Sequence, residues 1–164
     1  MGFLFAAGLL ALAAVPAAAD TYTIGPADLR MPPDNTATFG AGDHGEYVYK
    51  SSSGMGSLVA PVHLPAGAVI KSMRLIFYDN DSAPAAQIVC GLVRVNKFTG
   101  DYYVIFNLES MGTEDAIRSH VDSTCPIPAN RLVNNGACNY GLTVTFLTDC
   151  DINCRVYGVT ITYE

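Results

Sequence analysis

From about residue 45 onward, the chain is a series of short segments in which apolar and polar side chains alternate, separated by residues that favour turns. The segment Ser72 to Tyr78 is the clearest, with Met73, Leu75 and Phe77 on one face and Arg74 on the other. A period of two residues is typical of a β-strand with one buried face. Each such segment is therefore predicted to be a strand.

Two neighbouring segments predict a β-hairpin. Residues 88–95 are apolar on both faces, as expected of a central strand, and the turn Thr-Gly-Asp follows at 99–101. The next strand, residues 102–108, is predicted to place four side chains on one side: Tyr102, Val104, Phe106 and Leu108.

Two segments near the C-terminus are also predicted to pair with each other. Leu142, Val144 and Phe146 alternate with threonines, and so do Val159 and Ile161, so each segment has one inward face. In an antiparallel pair, Val144 would face Ile161, and Phe146 would face Val159.

The remaining segments bring the prediction to about eight strands. Residues 117–124 place Ile117 and Val121 opposite Arg118, His120 and Asp122, and residues 113–116 could form one helical turn before them. Segments 46–50 and 58–64 complete the set. The number and even spacing predict a single all-β domain over residues 46–164, an antiparallel β-sandwich of jelly-roll type.

Residues 20–45 differ from the rest, because Pro26, Pro32, Pro33 and several glycines interrupt any alternation. This segment is predicted to be an extended N-terminal arm. Two interpretations are open: the arm lies on its own sandwich, or it pairs with the sheet edge of a neighbouring subunit.

Residues 1–19 carry no charged side chain and are apolar from Phe3 to Val15, after which Pro16 and three alanines follow. This pattern predicts a secretory signal peptide cleaved after Ala19, and hence a secreted, extracellular or cell-surface protein. No Lys or Arg precedes the apolar stretch, so translation could start upstream of Met1. The alternative is a retained N-terminal helix of the kind found in pilins.

The charge of the chain limits its partners. With 15 acidic and 9 basic residues, the net charge is −6. Electrostatic repulsion argues against nucleic acid and against anionic membranes. After residue 19, no stretch is long and apolar enough to span a bilayer.

Five cysteines suit an oxidising compartment, and their odd number leaves at least one unpaired within the chain. Cys125 and Cys138 flank a loop rich in Pro and Asn, and a disulfide there would contribute about 3 kcal/mol. Cys150 and Cys154 are a second candidate pair, although the predicted strand register needs a bulge to join them. Cys90 lies in the most apolar strand and is predicted to be the buried free thiol.

Two blocks of sequence stand out, residues 60–81 and 156–163. The first contains the turn Leu-Pro-Ala-Gly-Ala at 64–68, then an aromatic strand, and it ends in Asp-Asn-Asp at 79–81. Both blocks resemble a pattern in uncharacterised secreted bacterial β-sandwich proteins. The resemblance implies export and a β-sandwich, and it implies no activity.

Two oxygen-rich turns are candidate calcium sites. Asp149, Asp151 and Asn153 match the opening of a calcium loop, and Asp79 and Asp81 form a second cluster. The first loop lacks the glycine and the closing glutamate of a complete calcium loop. The alternative is that these side chains cap turns by accepting hydrogen bonds from nearby backbone amides. No other cofactor is predicted.

Tyrosines offer a surface for glycans, because aromatic rings stack on the faces of sugars. Tyr47, Tyr49, Tyr102 and Tyr103 lie in patterns that expose one residue of each pair. The chain has no Trp, and Tyr is also simply favourable in strands. Glycan binding is therefore one prediction of the sequence.

Catalytic motifs are absent from the sequence. It contains no Gly-x-Ser-x-Gly, His-Glu-x-x-His, Walker or Rossmann motif, and its three histidines lack the spacing of metal ligands. We therefore expect no enzyme and no catalytic or metal-ligating residue. The leading hypothesis is a self-associating structural protein, such as a fibre, coat or surface subunit. The alternative is a secreted module that binds glycans or surfaces, with extracellular polysaccharide as its partner.

Overall fold

The computed structural model describes residues 18–80, 87–110, 114–148 and 150–164. They form ten strands: β1 (Asp20–Ile24), β2 (Phe39–Ala41), β3 (Val48–Lys50), β4 (Gly56–Val62), β5 (Ile70–Asp79), β6 (Ile88–Asn96), β7 (Tyr102–Glu109), β8 (Glu114–Asp122), β9 (Cys138–Phe146) and β10 (Cys154–Tyr163). Short 3-10 turns occur at Pro26–Asp28 and Pro128–Arg131. Within these ranges, no helix has the length and hydropathy needed to cross a membrane. The predicted signal peptide lies outside the described residues, except for Ala18 and Ala19.

The strands form two antiparallel sheets, which confirms the predicted β-sandwich. The six-stranded sheet has the order β2-β3-β10-β5-β8, with β1 also pairing with β10. The four-stranded sheet has the order β4-β9-β6-β7. There are ten strands rather than about eight, and both β1 and β2 belong to the segment predicted to be an arm. They are short, and only Ile24 of β1 is fully buried, so their alternation is weak in the sequence.

The core lies between the inner faces of the two sheets. The predicted inward faces of residues 72–78, 142–146 and 159–161 are all buried there. β4, β6 and β7 contribute further side chains, including Leu58, Val62, Ile88, Leu92, Phe106 and Leu108. Alternating strands bury one face each, and two such faces packed together form a sandwich core.

The predicted pairing of the two C-terminal segments is wrong. β9 lies between β4 and β6, so Val144 faces Leu58 and Cys90. β10 lies in the other sheet, where Ile161 faces Tyr22 and Met73. The two strands therefore belong to different sheets, with their apolar faces both directed into the core. Alternation shows which face of a strand is buried, and it does not show which strand lies beside it.

The predicted hairpin is confirmed, with one difference in β7. A register shift between Leu92 and Val93 leaves Ile105 as an extra residue, a β-bulge. Phe106 is therefore buried, whereas Tyr102 is 59% and Val104 38% exposed. The bulge moves the first half of β7 to the opposite face from the one predicted.

β8 is the last strand of the six-stranded sheet, and it includes residues 114–116, where a helical turn was considered. Ile117 and Val121 are opposite Arg118 and His120, as predicted, and the apolar pair faces solvent. The Arg118 guanidinium lies 5.3 Å from the centre of the Phe77 ring, and His120 Nδ1 is 2.9 Å from the Glu109 carbonyl oxygen.

The segment 20–45 lies on its own chain in this structure. β1 pairs with β10 along its whole length, and β2 pairs with β3. Between them, Arg30 and Val59 of β4 exchange two backbone hydrogen bonds of 2.8 Å. The arm therefore contacts both sheets of the sandwich.

Candidate functional site

Four tyrosines collect on the outer face of the six-stranded sheet. In β3, Val48 and Lys50 point inward, so Tyr49 between them points outward. The register pairs Arg155 of β10 with Tyr49 on one side and with Tyr78 of β5 on the other. Tyr47 and Tyr157 complete the group. We call Tyr47, Tyr49, Tyr78 and Tyr157, together with Arg155, the tyrosine platform.

Arg155 lies at the centre of the tyrosine platform. The carbon of its guanidinium is 4.8 Å from the centre of the Tyr47 ring and 4.9 Å from that of Tyr78. Its Nε donates a 2.9 Å hydrogen bond to the Ile152 carbonyl, which fixes the direction of the side chain. A guanidinium between two aromatic faces is a favourable cation–π arrangement.

The rings also contact one another. The ring centres of Tyr47 and Tyr157 are 5.4 Å apart, and those of Tyr47 and Tyr49 are 6.2 Å apart, with tilted planes in both cases. All four tyrosines are half-buried, so each side chain keeps part of its surface accessible. The platform is therefore a continuous aromatic surface, held in place by contacts between its own members.

A glycine gives one of these rings its position. A Cβ atom on Gly40 of β2 would lie 2.4 Å from Cζ of Tyr49, closer than carbon atoms can approach. The Tyr49 ring thus rests directly on the backbone of the neighbouring strand. Only glycine at position 40 leaves room for it there.

Polar groups border the platform. The Tyr78 hydroxyl donates a 2.7 Å hydrogen bond to Asp115 Oδ1, and this bond is the main cause that raises the pKa of Tyr78. Glu46 Oε2 accepts a hydrogen bond from the His44 backbone amide. Backbone hydrogen bonds lower the pKa of Glu46, with smaller contributions from His44 and Arg155. Charged acceptors for hydroxyl groups therefore lie at the edge of the aromatic surface.

The structure separates the tyrosines that the sequence grouped together. Tyr47 and Tyr49 belong to the platform, whereas Tyr102 and Tyr103 lie on β7 of the other sheet. Tyr103 is half-buried, and the Arg94 guanidinium carbon lies 5.1 Å from its ring centre. Tyr102 is on the opposite side of β7 and faces solvent.

Sequence reasoning missed Tyr78, Tyr157 and Arg155. Each lies at an outward position of a strand whose inward face was recognised, since Phe77 and Val156 beside them are buried. The alternation of buried and exposed positions in the sequence therefore placed each of these residues on the outer face of its strand. Finding the platform also required knowing that β3, β10 and β5 are adjacent.

A cavity of about 390 Å³ opens beside Tyr49. Its lining includes the hydroxyl groups of Ser51, Ser52, Ser53 and Thr148. Lys50 lies at its inner wall, fully buried, and its ammonium group donates hydrogen bonds to the carbonyls of Gly54, Leu147 and Thr148.

The predicted calcium residues are in different environments. Asp79 is buried, and its carboxylate accepts hydrogen bonds from Ser110 Oγ and, at 3.9 Å, from Cys154 Sγ. Asp151 Oδ1 accepts a 2.7 Å bond from the Asn153 amide, the turn cap named as the alternative. Asp81 and Asp149 lie outside the described residues. In the part of the chain that is described, no three His, Cys, Asp or Glu side chains form a metal-binding group, and calcium binding stays a prediction.

All five cysteines are buried free thiols in the structure. The predicted bridge between Cys125 and Cys138 is not formed, and Cys125 Sγ donates instead to the Ile127 carbonyl at 3.1 Å. Cys150 and Cys154 are also unbridged. A hydrogen bond between these two thiols, followed by burial, raises the pKa of Cys150. Cys90 is buried, and burial raises its pKa well above the usual range of a thiol.

No protein-family model matches this sequence, and comparison with curated proteins gave no match. Solved structures do match. The chain is similar to the xylan-binding module CBM15 (12% identity, TM-score 0.55, 88% of this chain and 97% of the module). It is also similar to the C-terminal CBM6 of LamC, a laminarinase from Zobellia galactanivorans (11% identity, TM-score 0.52, 87% of this chain and 99% of the module).

A third similar structure contains the CBM22-1 and GH10 modules of xylanase 10B from Clostridium thermocellum in complex with xylohexaose. It is 16% identical with a TM-score of 0.54, over 89% of this chain and 28% of that one. At these identities the similarity shows a shared β-sandwich fold.

Proposed function

We propose that this protein is a secreted, non-catalytic module that binds extracellular polysaccharide on its tyrosine platform. The observation that carries the proposal is the convergence of four tyrosines around Arg155 on one accessible face. A pyranose ring has a C–H face that packs on aromatic rings, while its hydroxyl groups need polar partners. The tyrosine rings of the platform offer the aromatic surface, and the carboxylates of Glu46 and Asp115 offer polar partners for the hydroxyl groups.

The fold supports the same proposal. Xylan-binding CBM15 and part of the CBM22-1–GH10 xylanase complexed with xylohexaose have a β-sandwich like this one. The polysaccharide we propose is uncharged, because a protein with a net charge of −6 repels polyanions such as sulfated or uronate-rich chains.

Retention on immobilised polysaccharides tests the function. We expect the protein to be retained on at least one of xylan, cellulose, β-1,3-glucan and galactan. The double variant Tyr49→Ala/Tyr157→Ala is expected to weaken binding by about tenfold, equivalent to roughly 1.4 kcal/mol of lost stacking. Tyr157→Phe is expected to bind normally, because it keeps the ring.

Tyr103→Ala is the matched control, since Tyr103 is also half-buried beside an arginine but lies on the other sheet. If Tyr103→Ala weakened polysaccharide binding as much as the platform variant does, the platform would not be the binding site. Failure of every polysaccharide to retain the protein would contradict the function itself.

Self-assembly as a fibre, coat or surface subunit is the second candidate function. The observation that favours it is β8, which ends the six-stranded sheet and exposes Ile117 (58%) and Val121 (46%) on the same face. An exposed apolar edge strand is a surface that a second copy can extend.

Light scattering across a range of concentrations tests this candidate. If the protein assembles through β8, Ile117→Lys dissociates the oligomer, whereas Leu132→Lys, at a similarly exposed apolar position away from β8, does not. A wild-type protein that stays monomeric at high concentration would exclude assembly of this kind.

A further inference from the structure

We infer that the protein has a second polysaccharide-binding surface on its four-stranded sheet, so that one molecule bridges two neutral polysaccharide chains. This inference rests on the proposed function and extends it to the opposite side of the sandwich. The second surface is formed by the β6–β7 hairpin and the adjacent outer face of β9. We call it the hairpin surface, with Phe98 and Tyr102 as its aromatic residues.

The two aromatic residues of the hairpin surface are largely exposed to solvent. Phe98 is 81% and Tyr102 59% exposed. They lie four residues apart around one turn, and neither ring is covered by the sandwich. The platform tyrosines pack on one another, whereas these two rings present most of their area to solvent.

The turn that carries Phe98 is held by its own hydrogen bonds. Asn96 Oδ1 accepts from the backbone amides of Phe98 (2.9 Å) and Thr99 (3.3 Å), and Thr99 Oγ1 donates to Asp101 Oδ2 at 2.6 Å. Gly100 has φ = 75°, the left-handed conformation that the turn requires and that glycine adopts without strain. A preformed turn presents an exposed ring at a low cost in conformational entropy on binding.

On the four-stranded sheet beside these rings, a glycine lies between two polar residues of the neighbouring strands. Strand register places Gly91 of β6 between Asn107 of β7 and Thr143 of β9. A Cβ on Gly91 would lie 3.4 Å from Thr143 Oγ1 and 3.9 Å from Asn107 Oδ1, and Thr143 Oγ1 donates a 3.3 Å hydrogen bond to the Gly91 carbonyl, so the glycine backbone lies between two polar side chains. Between Gly91 and Tyr102, Val93 of β6 pairs with Gly141 on one side and with Val104 on the other, so this part of the surface is apolar. A flat sugar chain needs this combination of stacking rings, open backbone and amide or hydroxyl partners.

Charge selects the same class of ligand on both surfaces. Asp101 and Glu109 are exposed on the hairpin surface, and Glu46 and Asp115 border the platform. Added to the net charge of −6, these carboxylates disfavour polyanionic chains on either side. Both surfaces therefore fit uncharged polysaccharide.

The two surfaces belong to different sheets and face away from each other, with the hydrophobic core between them. A single extended chain lying flat on one face does not reach the other. Occupation of both surfaces therefore joins two chains, or two distant segments, through one protein molecule.

A capture assay tests this inference. Wells are coated with xylan, saturated with the full-length protein, washed, and then offered soluble biotinylated xylan, with β-1,3-glucan and galactan tested in the same format. The wild-type protein is expected to capture the soluble polysaccharide. Two double variants each remove one surface: Phe98→Ala/Tyr102→Ala and Tyr49→Ala/Tyr157→Ala. Each is expected to remain bound to the wells through the other surface, with about tenfold weaker binding, while capture of the soluble polysaccharide falls to background.

One further variant controls the assay. Leu132→Ala removes an exposed apolar side chain outside both surfaces and is expected to capture normally. Circular dichroism checks the fold of each variant, and the high exposure of Phe98 and Tyr102 makes misfolding of that pair unexpected.

Each other outcome contradicts the inference in a recognisable way. Retention of the wild type without capture would overturn the second surface and leave the proposed function intact. Capture by both double variants would show that bridging comes from self-association, because two joined subunits bridge chains with either face. No retention on any polysaccharide would overturn the proposed function together with this inference.

Discussion

Lys50 shows how one residue can join distant parts of the fold. Its side chain points inward from β3 and is fully buried. The ammonium group donates hydrogen bonds to the carbonyls of Leu147 (2.6 Å) and Thr148 (3.1 Å), at the connection between the two sheets, and to that of Gly54. A buried charge is costly unless it is fully hydrogen-bonded, and these three carbonyls supply that compensation. The sequence could not predict this, because two of the three acceptors, the carbonyls of Leu147 and Thr148, are nearly 100 residues away.

Replacing Lys50 with methionine keeps much of the side-chain volume and removes all three donors. We expect Lys50→Met to lower the free energy of unfolding by about 2–4 kcal/mol, because buried carbonyls lose their partners. Chemical denaturation measures the change. Lys71→Met is the control, since Lys71 forms an exposed ion pair with Glu164, and such a pair contributes about 0–1 kcal/mol. Equal effects of the two substitutions would refute the role of Lys50.

At the scale of elements, β1 makes the N-terminal segment part of the core. Thr23 faces solvent, whereas Ile24 is 2% exposed and lies beside β10 at Val159. Asp20–Ile24 also covers a stretch of β10 that β3 does not reach, since β3 pairs only with Arg155 and Val156. β1 and β3 thus share one edge of β10.

This placement predicts unequal effects within β1. Ile24→Ala is expected to cost about 2–4 kcal/mol in the free energy of unfolding, because it opens a cavity in the core. Thr23→Ala is expected to change stability by less than about 0.5 kcal/mol. Denaturation at several protein concentrations adds a second check. A midpoint that is independent of concentration agrees with an arm on its own chain, and a midpoint that rises with concentration would mean that the arm docks on a neighbour.

At the scale of the whole molecule, the sequence predicted the class of fold and the buried faces better than the neighbours of each strand. The inward residues of β5, β9 and β10 were correct, because alternation within a strand is a local property. The pairing of β9 with β10 was wrong, because strand neighbours depend on how the loops cross between sheets. The candidate site has the same limit: Tyr47 and Tyr49 were identified, whereas Tyr78, Tyr157 and Arg155 became visible only when β3, β10 and β5 were side by side.

The central position of β10 also has a consequence for biosynthesis. β10 pairs with β1, β3 and β5, and it follows all of them in the chain. During translation, the six-stranded sheet therefore cannot close until residues 154–163 have left the ribosome. Pairings between residues that are far apart in sequence also form slowly, because loop closure must come first. A nascent chain with this strand order therefore lacks its complete six-stranded sheet until the end of its synthesis, and its apolar strand faces stay exposed until then.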